Sequence, residues 1–424
     1  MAEKGLLRRT SSLETVDMSK KSILFVTYPL VCGGVERALL SVLSILPKDK
    51  FDVTLLLTEK TGTLLSEVPP HVSVQEIPFA PLDRYELKNR RVPTLRYCLT
   101  HFHWIHAVRM LWTRLVWVLG GRREDYEIRV VRGMLKRLER VNFPTDVDYA
   151  FAYGGREIPG CFVRYAVQAK VTAIWCHDES AIDFVAGGGW SELYAAFDHR
   201  YGTHDMVARI NAEVKDPRYE FECIPYFVDP EQYGRQADGP HDPRFDVSGL
   251  KLLTVGRLCR QKGIDQAISI AARLKRDGYE FTWFVVGGGE DFDGLSQQIR
   301  TEHIEDRFVL LGEHRNPFPY FKHCDIYVQP SRWEAFCLAV TEARVFNRPI
   351  VATDFVGARE QLKDGTTGLI VPLDDSDGLC RAIRRLLDSP ELRASLSANL
   401  SQENAGNVAE AREAWTDLMP EALS

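Results

Sequence analysis

Short apolar runs rich in β-branched residues alternate with helical patterns along the chain, and this alternation restricts the fold most strongly. Strand runs separated by helical segments are typical of βαβ units, which form parallel sheets with helices on both faces. The runs fall into two sets, the first at Ser22–Tyr28, Asp52–Thr58, Val72–Ile77, Tyr149–Tyr153, Val171–Cys176 and near Tyr201, the second at Lys251–Val255, Phe281–Val286, Phe308–Leu311, Ile326–Gln329, Ile350–Thr353 and Leu369–Val371. We therefore predict two Rossmann-like, doubly wound α/β domains with a cleft between them.

The length of the chain agrees with two domains. Its 424 residues exceed the roughly 250–300 at which a single core stops growing. The Pro-, Gly- and Asp-rich segment Gln236–Ser248 is the best candidate for a linker. We expect a disordered tail over 1–20, an N-terminal domain over 21–240, a C-terminal domain over 249–404, and a C-terminal helix within 405–424 that packs on the N-terminal domain.

Composition narrows the class of protein and its compartment. A net charge of −6 and a pI near 6.0 argue against a general nucleic-acid binder. The nine cysteines are scattered and form no Cys-x-x-Cys pair, which indicates reduced thiols rather than disulfides or a zinc site. The first twenty residues lack the apolar run of a signal peptide, and no uninterrupted apolar stretch reaches the about 18 residues of a membrane span. We expect a cytoplasmic protein.

The segment 83–140 fits neither sheet. It carries fourteen Lys and Arg against six Asp and Glu, a net charge of +8 in an acidic protein, with Trp104, Trp112 and Trp117 interleaved. Aromatic side chains mixed with basic ones suit the interface of a bilayer. The segment is therefore either a contact with the inner membrane surface, making the protein peripheral on the cytoplasmic face, or a helical hairpin whose tryptophans pack into the first domain.

Each set of strands begins with a strand that leads into a distinctive loop. In the first set the paired Gly33 and Gly34 precede a helix, where bare backbone N–H groups can approach an anion. In the second set the loop Gly256–Gly263 precedes a helix predicted over Asp265–Leu274, and it contains Arg257, Arg260 and Lys262. Cations at a helix amino end favour a phosphate site. An ordinary basic surface loop is the alternative.

Glu342 stands out because of its position on a predicted helix. With a helix beginning near Leu338, the carboxylate falls on the same arc as Ala339, Ala343 and Val345 and points toward the core. Ionised carboxylates are rarely buried without a partner, since desolvation costs several kcal/mol or more. Glu342 must therefore bind either a ligand or a basic residue inside its own domain.

Several short motifs occur together in a fixed order. They are Gly33-Gly34, Cys176-His177-Asp178, Ile224–Asp229, Gly256-Arg257 with Lys262-Gly263, Val286–Glu290, Asn316-Pro317, Cys324-Asp325, Ser331–Glu334 with Glu342, Pro349–Asp354, Gly357–Glu360 and Asp364–Pro372. In this order the chain resembles the retaining glycosyltransferases of the GT-B fold, family 4 of the sequence classification, from about Ser22 to Leu418. That nucleotide-sugar-dependent family builds bacterial polysaccharides and glycolipids.

The resemblance implies roles for four charged residues of the second domain. Glu342 would bind the ribose hydroxyls of the donor nucleotide, which agrees with an inward-facing carboxylate meeting two O–H donors. Glu334 would reach the hydroxyls of the donor sugar. Arg257 and Lys262 would bind the diphosphate and stabilise the charge on the departing phosphate.

The resemblance also implies contacts from both sides of the cleft. Gly33 and Gly34 would approach the diphosphate from the first domain, and Gly357 would line the sugar pocket. The backbone at Ala335 and Phe336 would complete the donor site. His177 would lie near the donor sugar and count among the catalytic residues; a structural histidine at a strand end is the alternative.

Three departures from the family pattern matter. Ala335 and Cys337 replace glycines common after the first glutamate, and Tyr226-Phe227 replaces the usual Asn-Gly near the interdomain hinge. Asn347 stands where a glycine often ends the helix, a tolerable change because Asn also adopts the left-handed conformation. No Asp-x-Asp motif follows a strand in a position to hold a metal, so we expect transfer without a metal or other cofactor.

The expected function is hexosyl transfer from a nucleotide-diphosphate donor, most simply a UDP-sugar, to a saccharide or lipid-linked saccharide in cell-surface polysaccharide synthesis, with retention of configuration. The same fold hosts other activities. A nucleotide-sugar epimerase and a non-catalytic nucleotide-sugar-binding subunit are the alternatives, while a phosphorylase would need a cofactor lysine for which the sequence has no motif.

Overall fold

The structure is a computed structural model that describes residues 20–31, 33–77, 146–177, 189–403 and 408–419. The polar tail, the basic aromatic segment 83–140 and Asp178 therefore lie outside the described residues. Within those ranges two separate parallel sheets are present, one in each half of the chain.

The first sheet confirms the parallel arrangement predicted for the N-terminal half. Its described strands are β1 Lys21–Thr27, β2 Phe51–Leu57, β3 Ser73–Glu76, β4 Asp146–Ala152, β5 Gln168–Trp175, β6 His199–Gly202 and β7 Glu222–Cys223. They lie in the order β3-β2-β1-β4-β5-β6-β7, and all pairs are parallel. Only β7 was not predicted, because two residues are too few to show an apolar pattern.

The second sheet has the strand order of a dinucleotide-binding fold. Its strands are β8 Leu250–Val255, β9 Phe281–Val286, β10 Phe308–Gly312, β11 Ile326–Gln329, β12 Ile350–Thr353 and β13 Leu369–Val371. They lie in the order β10-β9-β8-β11-β12-β13, again all parallel. The order reverses at β8, which pairs with both β9 and β11, and ligands of such sheets bind beyond the strand ends at the reversal.

Helices connect these strands. In the first half they are α1 Gly34–Ile45, α2 Cys161–Ala166, α3 Gly189–Ala195, α4 His204–Glu213 and α5 Pro230–Gln236. In the second half they are α6 Ile264–Arg276, α7 Phe292–Thr301, α8 Phe318–His323, α9 Leu338–Val345, α10 Ala358–Gln361, α11 Ser376–Asp388, α12 Pro390–Ser401 and α13 Val408–Leu418. None of the helices in the described part of the chain has the length and apolarity that crossing a bilayer requires.

The segment predicted as a linker is firmly packed. Phe245 is fully buried, and its ring lies 4.7 Å from that of Phe284 and 5.1 Å from that of Tyr320. Asp242 caps a short turn over Pro243–Phe245 by accepting from the Arg244 N–H. The segment contains the turn that its composition predicts, but Phe245 packs it against the second sheet.

The C-terminal helix α13 contacts the first sheet. Its Trp415 is fully buried, with ring centroids 6.3 Å from Phe25, 5.5 Å from Phe151 and 5.6 Å from Trp175. Aromatic contacts of this kind dominate the energetics of buried interfaces. The chain therefore crosses back from the second sheet to the first at its end, so that two chain segments connect the domains.

Candidate functional site

The amino ends of helices α1 and α9 meet between the two sheets. A Cβ placed on Gly34, the first residue of α1, would lie 3.7 Å from Cδ1 of Leu338, the first residue of α9. One turn further along, Arg37 Nε lies 3.9 Å from Glu342 Oε1. Because the first turns of α1 and α9 pack against each other, the amino ends of both helices face the same space. Each carries roughly half a positive charge, which favours an anion there.

Lys262 and Glu334 form an ion pair close to these helix ends. Lys262 Nζ lies 2.5 Å from Glu334 Oε1, and the side chains are only 16% and 8% exposed. Burial disfavours the ammonium ion, but the negative charge and the hydrogen bond of Glu334 favour it, and the pKa of Lys262 is raised. The pair therefore keeps a cation in place beside the cleft.

A chain of hydrogen bonds ends on Glu334. The Tyr327 hydroxyl donates to Gln329 Oε1 at 2.5 Å, Gln329 Nε2 donates to Ser331 Oγ at 2.7 Å, and the Ser331 hydroxyl donates to Glu334 Oε1 at 2.8 Å. Gln261 Nε2 also donates to Glu334 Oε2 at 3.3 Å. Such chains reinforce themselves in a buried setting. The orientation of the Glu334 carboxylate is thus fixed from inside the second domain.

Glu342 is buried in α9, as its helical position predicts, and is only 3% exposed. Burial raises its pKa to about 7, although Arg37 and Lys262 act to lower it. The nearer of these cations does not belong to the second domain: Arg37 reaches across from α1. The nearest basic partner of Glu342 therefore belongs to the other domain, and not to its own domain as the alternative predicted.

Arg257 differs from Lys262 in its surroundings. Its side chain is exposed at the end of β8, and among the described residues it forms no ion pair. Across the cleft it faces Glu36 of α1: burial raises the pKa of Glu36, while the Glu36 backbone N–H and the Arg257 charge act to lower it. The two predicted phosphate-binding cations thus lie on one loop, one paired and one exposed.

Gly357 lies against the backbone of Ala335 and Phe336. Its φ is +78°, and an added Cβ would be 2.7 Å from the Ala335 carbonyl oxygen and 3.0 Å from Phe336 Cα. Its N–H donates to Asp205 Oδ2 of α4 at 3.1 Å, and the Asp205 N–H donates to Glu360 Oε2 at 3.3 Å. These two hydrogen bonds link α4 of the first domain to the start of α10 in the second, beside the Ala335–Phe336 backbone.

The two residues that replace family glycines at the ends of α9 adopt left-handed conformations. Cys337, before the helix, has φ +71°, and Asn347, after it, has φ +51°. The conformation predicted for Asn347 is confirmed. A cysteine tolerates this region less well, at a cost of roughly 1–2 kcal/mol. Burial also raises the pKa of the Cys337 thiol to about 12, so the thiol is neutral at physiological pH.

His177 is held by the first domain and its neighbouring segment. Its Nε2–H donates to the Tyr153 carbonyl oxygen, and its Nδ1 forms a hydrogen bond with the Tyr226 hydroxyl. The imidazole ring lies nearly parallel to the rings of Trp175 and Tyr226. Tyr226 in turn packs edge-on against Phe336 of the second domain, with centroids 5.2 Å apart. A contact of His177 with a donor sugar stays a prediction.

The site contains residues to which the motifs assigned no role. Ser331 and Gln329 orient Glu334, and Arg37 faces Glu342. A sequence signal existed for Arg37, because it lies one helical turn before Ser41 on the buried side of an apolar helix. The reasoning that singled out Glu342 applies equally to this cation.

Metal ligands are not grouped in the described ranges: no three His, Cys, Asp or Glu side chains lie close enough there to hold an ion. The expectation of metal-independent chemistry stays a prediction.

Solved structures share the whole two-domain arrangement. HepE of Anabaena in complex with UDP-glucose matches 94% of this chain and 99% of its own, with a TM-score of 0.67 at 16% identity. Staphylococcus aureus TarM, bound to UDP and saccharide ligands, matches to the same extent with a TM-score of 0.66 at 11% identity. The GT-B fold predicted from the sequence is therefore confirmed.

Curated relatives match part of the chain. The α-D-kanosaminyltransferase of Streptomyces kanamyceticus is 33% identical over 150 residues, 35% of this chain and 39% of the relative. The lipopolysaccharide core mannosyltransferase LpsB of Rhizobium meliloti is 32% identical over 167 residues, 38% of this chain and 47% of the relative. The chain thus spans less than half the length of these relatives. Residues 241–403 match the family described as "Glycosyl transferases group 1".

Proposed function

We propose that this protein is a retaining glycosyltransferase of family 4 that moves a sugar from a UDP-sugar to a saccharide or lipid-linked saccharide acceptor in cell-surface polysaccharide synthesis. One observation carries the proposal: the buried Lys262–Glu334 pair lies beside the joined amino ends of α1 and α9. A cation, two helix ends and a fixed carboxylate are what a nucleotide-diphosphate sugar needs.

The diphosphate would occupy the space between the helix ends. Gly33 and Gly34 place no side chain at the amino end of α1, where the Glu36 carboxylate lies beside Gly33. Lys262 and Arg257 would supply positive charge from the loop after β8. As the anomeric C–O bond breaks, negative charge accumulates on the departing phosphate. Fixed donors and cations aimed at developing charge supply the largest share of catalysis in many enzymes.

The two glutamates would bind the two ends of the donor. Glu342, buried at the base of the cleft, would accept hydrogen bonds from the ribose hydroxyls, and Glu334 would accept them from the sugar. The backbone of Ala335 and Phe336, held against Gly357, would border the sugar pocket. This arrangement agrees with UDP-glucose as the ligand of the HepE structure.

The transfer step needs no protein base in this proposal. The acceptor hydroxyl oxygen forms a bond to the anomeric carbon on the face that the phosphate leaves, and its proton passes to an oxygen of the departing phosphate. The ring nitrogens of His177 are both engaged within the protein, which supports a role in shaping the pocket rather than in proton transfer. We propose that no metal or other cofactor takes part.

The acceptor would be presented at the inner membrane surface. Relatives include enzymes named for lipopolysaccharide core biosynthesis and capsular polysaccharide biosynthesis. The basic aromatic segment 83–140 offers charges suited to anionic lipid. We propose that it brings the cytoplasmic enzyme to lipid-linked acceptors.

The direct test incubates the full chain with radiolabelled UDP- and GDP-sugars, with and without bacterial lipid extract. Transfer of label to lipid, or slow release of free nucleotide, supports the proposal. Isomerised donor would instead identify an epimerase, and tight binding of donor without any consumption would identify a non-catalytic subunit. A Lys262→Ala, Arg257→Ala variant provides the background rate.

A further inference from the structure

Arg37 belongs to the first domain, yet its guanidinium is enclosed by groups of the second. Its Nη2 donates to the Arg315 carbonyl oxygen at 2.7 Å, its Cζ lies 5.2 Å from the centroid of Phe318, and its Nε is 3.9 Å from Glu342 Oε1. The side chains of Arg37 and Glu342 are 8% and 4% exposed. This cation is therefore buried by the approach of α1 to the second domain.

Several titratable groups face Glu342 from the elements packed around it, namely Arg37 of α1, Lys262 of the loop after β8, Tyr233 of α5, Tyr327 of β11 and Cys337 before α9. The two tyrosines and the cysteine are neutral at physiological pH, since burial raises the pKa of each. Lys262 is already paired with Glu334. Arg37 is thus the principal counter-charge of Glu342 among the described residues.

We propose that Arg37 is a positioning residue that acts across the domain cleft, holding Glu342 as an ionised acceptor for the ribose of the nucleotide and thereby making nucleotide affinity depend on the approach of the two domains. The inference rests on the proposed function, because it assumes that Glu342 binds the ribose. It adds a charged side chain of the first domain to a nucleotide site whose other proposed charged side chains belong to the second.

The physical reason lies in what the carboxyl group offers. An ionised carboxylate accepts hydrogen bonds through both oxygens, which suits the two O–H donors of a ribose diol, whereas a protonated one gives up part of that capacity. A buried carboxyl without a cation protonates near neutral pH. Because the Arg315 carbonyl oxygen fixes the guanidinium, the charge reaches Glu342 only when α1 is seated against the second domain.

The test compares UDP affinity by calorimetry at pH 6, 7.5 and 9 for the wild type, Arg37→Met and Arg37→Lys. Loss of an adjacent cation raises the pKa of a buried carboxyl by about one to three pH units. We therefore expect Arg37→Met to weaken UDP binding roughly tenfold at pH 7.5, with recovery toward pH 9. Arg37→Lys, which keeps the charge, should retain most of the wild-type pH profile.

Glu67→Gln is the matched control. It removes another ion pair between the domains, in which Arg315 Nε lies 3.1 Å from Glu67 Oε1, without touching Glu342. If Arg37→Met and Glu67→Gln change the pH profile of UDP binding equally, Arg37 acts only as a contact between the domains, and the inference is wrong. In a Glu342→Gln background the Arg37→Met change should cost less than about twofold, because the group on which it acts is absent.

The proposed function and this inference fail in different ways. If the wild type binds no nucleotide at any pH, the donor assignment is wrong. The carboxyl carbon of Glu342 can still be titrated by NMR in the ligand-free protein, and an unchanged titration midpoint in Arg37→Met would contradict the electrostatic link itself. If nucleotide binds and only the pH profile is insensitive to Arg37, the proposed function stands and the inference falls.

Discussion

Lys262 and Glu334 are paired at 2.5 Å while both are largely removed from water. Each neutralises a charge that the other could not bury alone. The carboxylate is fixed further by Ser331, whose hydroxyl donates to the same oxygen at 2.8 Å. One contact therefore serves the stability of the second domain and the geometry proposed for the donor site.

Lys262→Met should affect stability and turnover together. The substitution leaves Glu334 as a buried, unpaired carboxylate, at a cost of about 3–5 kcal/mol in the free energy of unfolding. If Lys262 stabilises the leaving phosphate as proposed, its removal should lower kcat by at least about a hundredfold. Urea unfolding and donor turnover measure the two effects separately.

Lys275→Met is the control for Lys262→Met. Lys275 Nζ also lies 2.5 Å from a carboxylate, that of Asp306, but the two side chains are 34% and 58% exposed. Exposed pairs contribute under about 1 kcal/mol, and turnover should stay near the wild-type rate. Equal losses in the two variants would contradict a special role for the buried pair.

Glu342→Gln should change how stability depends on pH. The pKa of Glu342 is raised from 4.5 to about 7 by burial, so between these values the folded chain binds more protons than the unfolded chain. The contribution of this group is complete below pH 4.5 and is lost as the pH rises through 7, a change of about 3 kcal/mol. Glutamine removes that dependence.

Urea unfolding at pH 5 and pH 8 provides the measurement for Glu342→Gln. The variant should gain stability relative to the wild type on going from pH 5 to pH 8. An exposed control, Glu231→Gln, should show no such trend, because the side chain of Glu231 is 88% exposed. A stability difference independent of pH would show that Glu342 does not titrate in this range.

The strands could be predicted because parallel strands are buried on both faces and leave apolar runs in the sequence. β9, β11, β12 and β13 lie at the predicted residues. The burial of Glu342 was also predictable, since helical periodicity depends only on spacing. Its partner was not: Arg37 lies on a helix of the other domain, and periodicity gives the face of a helix but not what packs against it.

The surroundings of His177 show the same limit. A histidine at a strand end is compatible with a ligand contact or with internal hydrogen bonds, and the sequence left both open. The engagement of both ring nitrogens depends on Tyr226, which enters from the segment between the sheets, and on the Tyr153 carbonyl of the neighbouring strand end. Only the tertiary arrangement joins these three residues.

Flotation with liposomes tests the role of segment 83–140. We expect the full chain to float with phosphatidylglycerol vesicles at low salt and to be released at about 0.5 M salt, because the attraction is electrostatic. It should not bind phosphatidylcholine vesicles. Arg109→Glu with Arg114→Glu should weaken flotation. Arg273→Glu with Arg381→Glu makes the same charge change on exposed helices of the second domain and should leave flotation unchanged. Absence of flotation of the wild type at low salt would refute the membrane contact.

Gly357→Ala should damage the donor site far more than an equivalent change elsewhere. Both Gly357 and Gly278 have positive φ, +78° and +86°, so an alanine is strained at either position by about 1 kcal/mol. At Gly278 the new methyl group meets nothing within 4 Å, whereas at Gly357 it would lie 2.7 Å from the Ala335 carbonyl oxygen. The strand-to-helix backbone around Ala335 must therefore move.

The expected result for Gly357→Ala is a raised KM for the donor sugar nucleotide and roughly tenfold lower kcat/KM. Affinity for UDP alone should be nearly unchanged, because the proposed ribose and diphosphate contacts lie elsewhere. Gly278→Ala should lower the free energy of unfolding by about 1 kcal/mol and leave the kinetics unaltered. Donor kinetics and UDP calorimetry on the two variants provide the comparison. Equal loss of UDP and UDP-sugar affinity in Gly357→Ala would place the disturbance at the nucleotide rather than at the sugar, and would remove Gly357 from the sugar pocket.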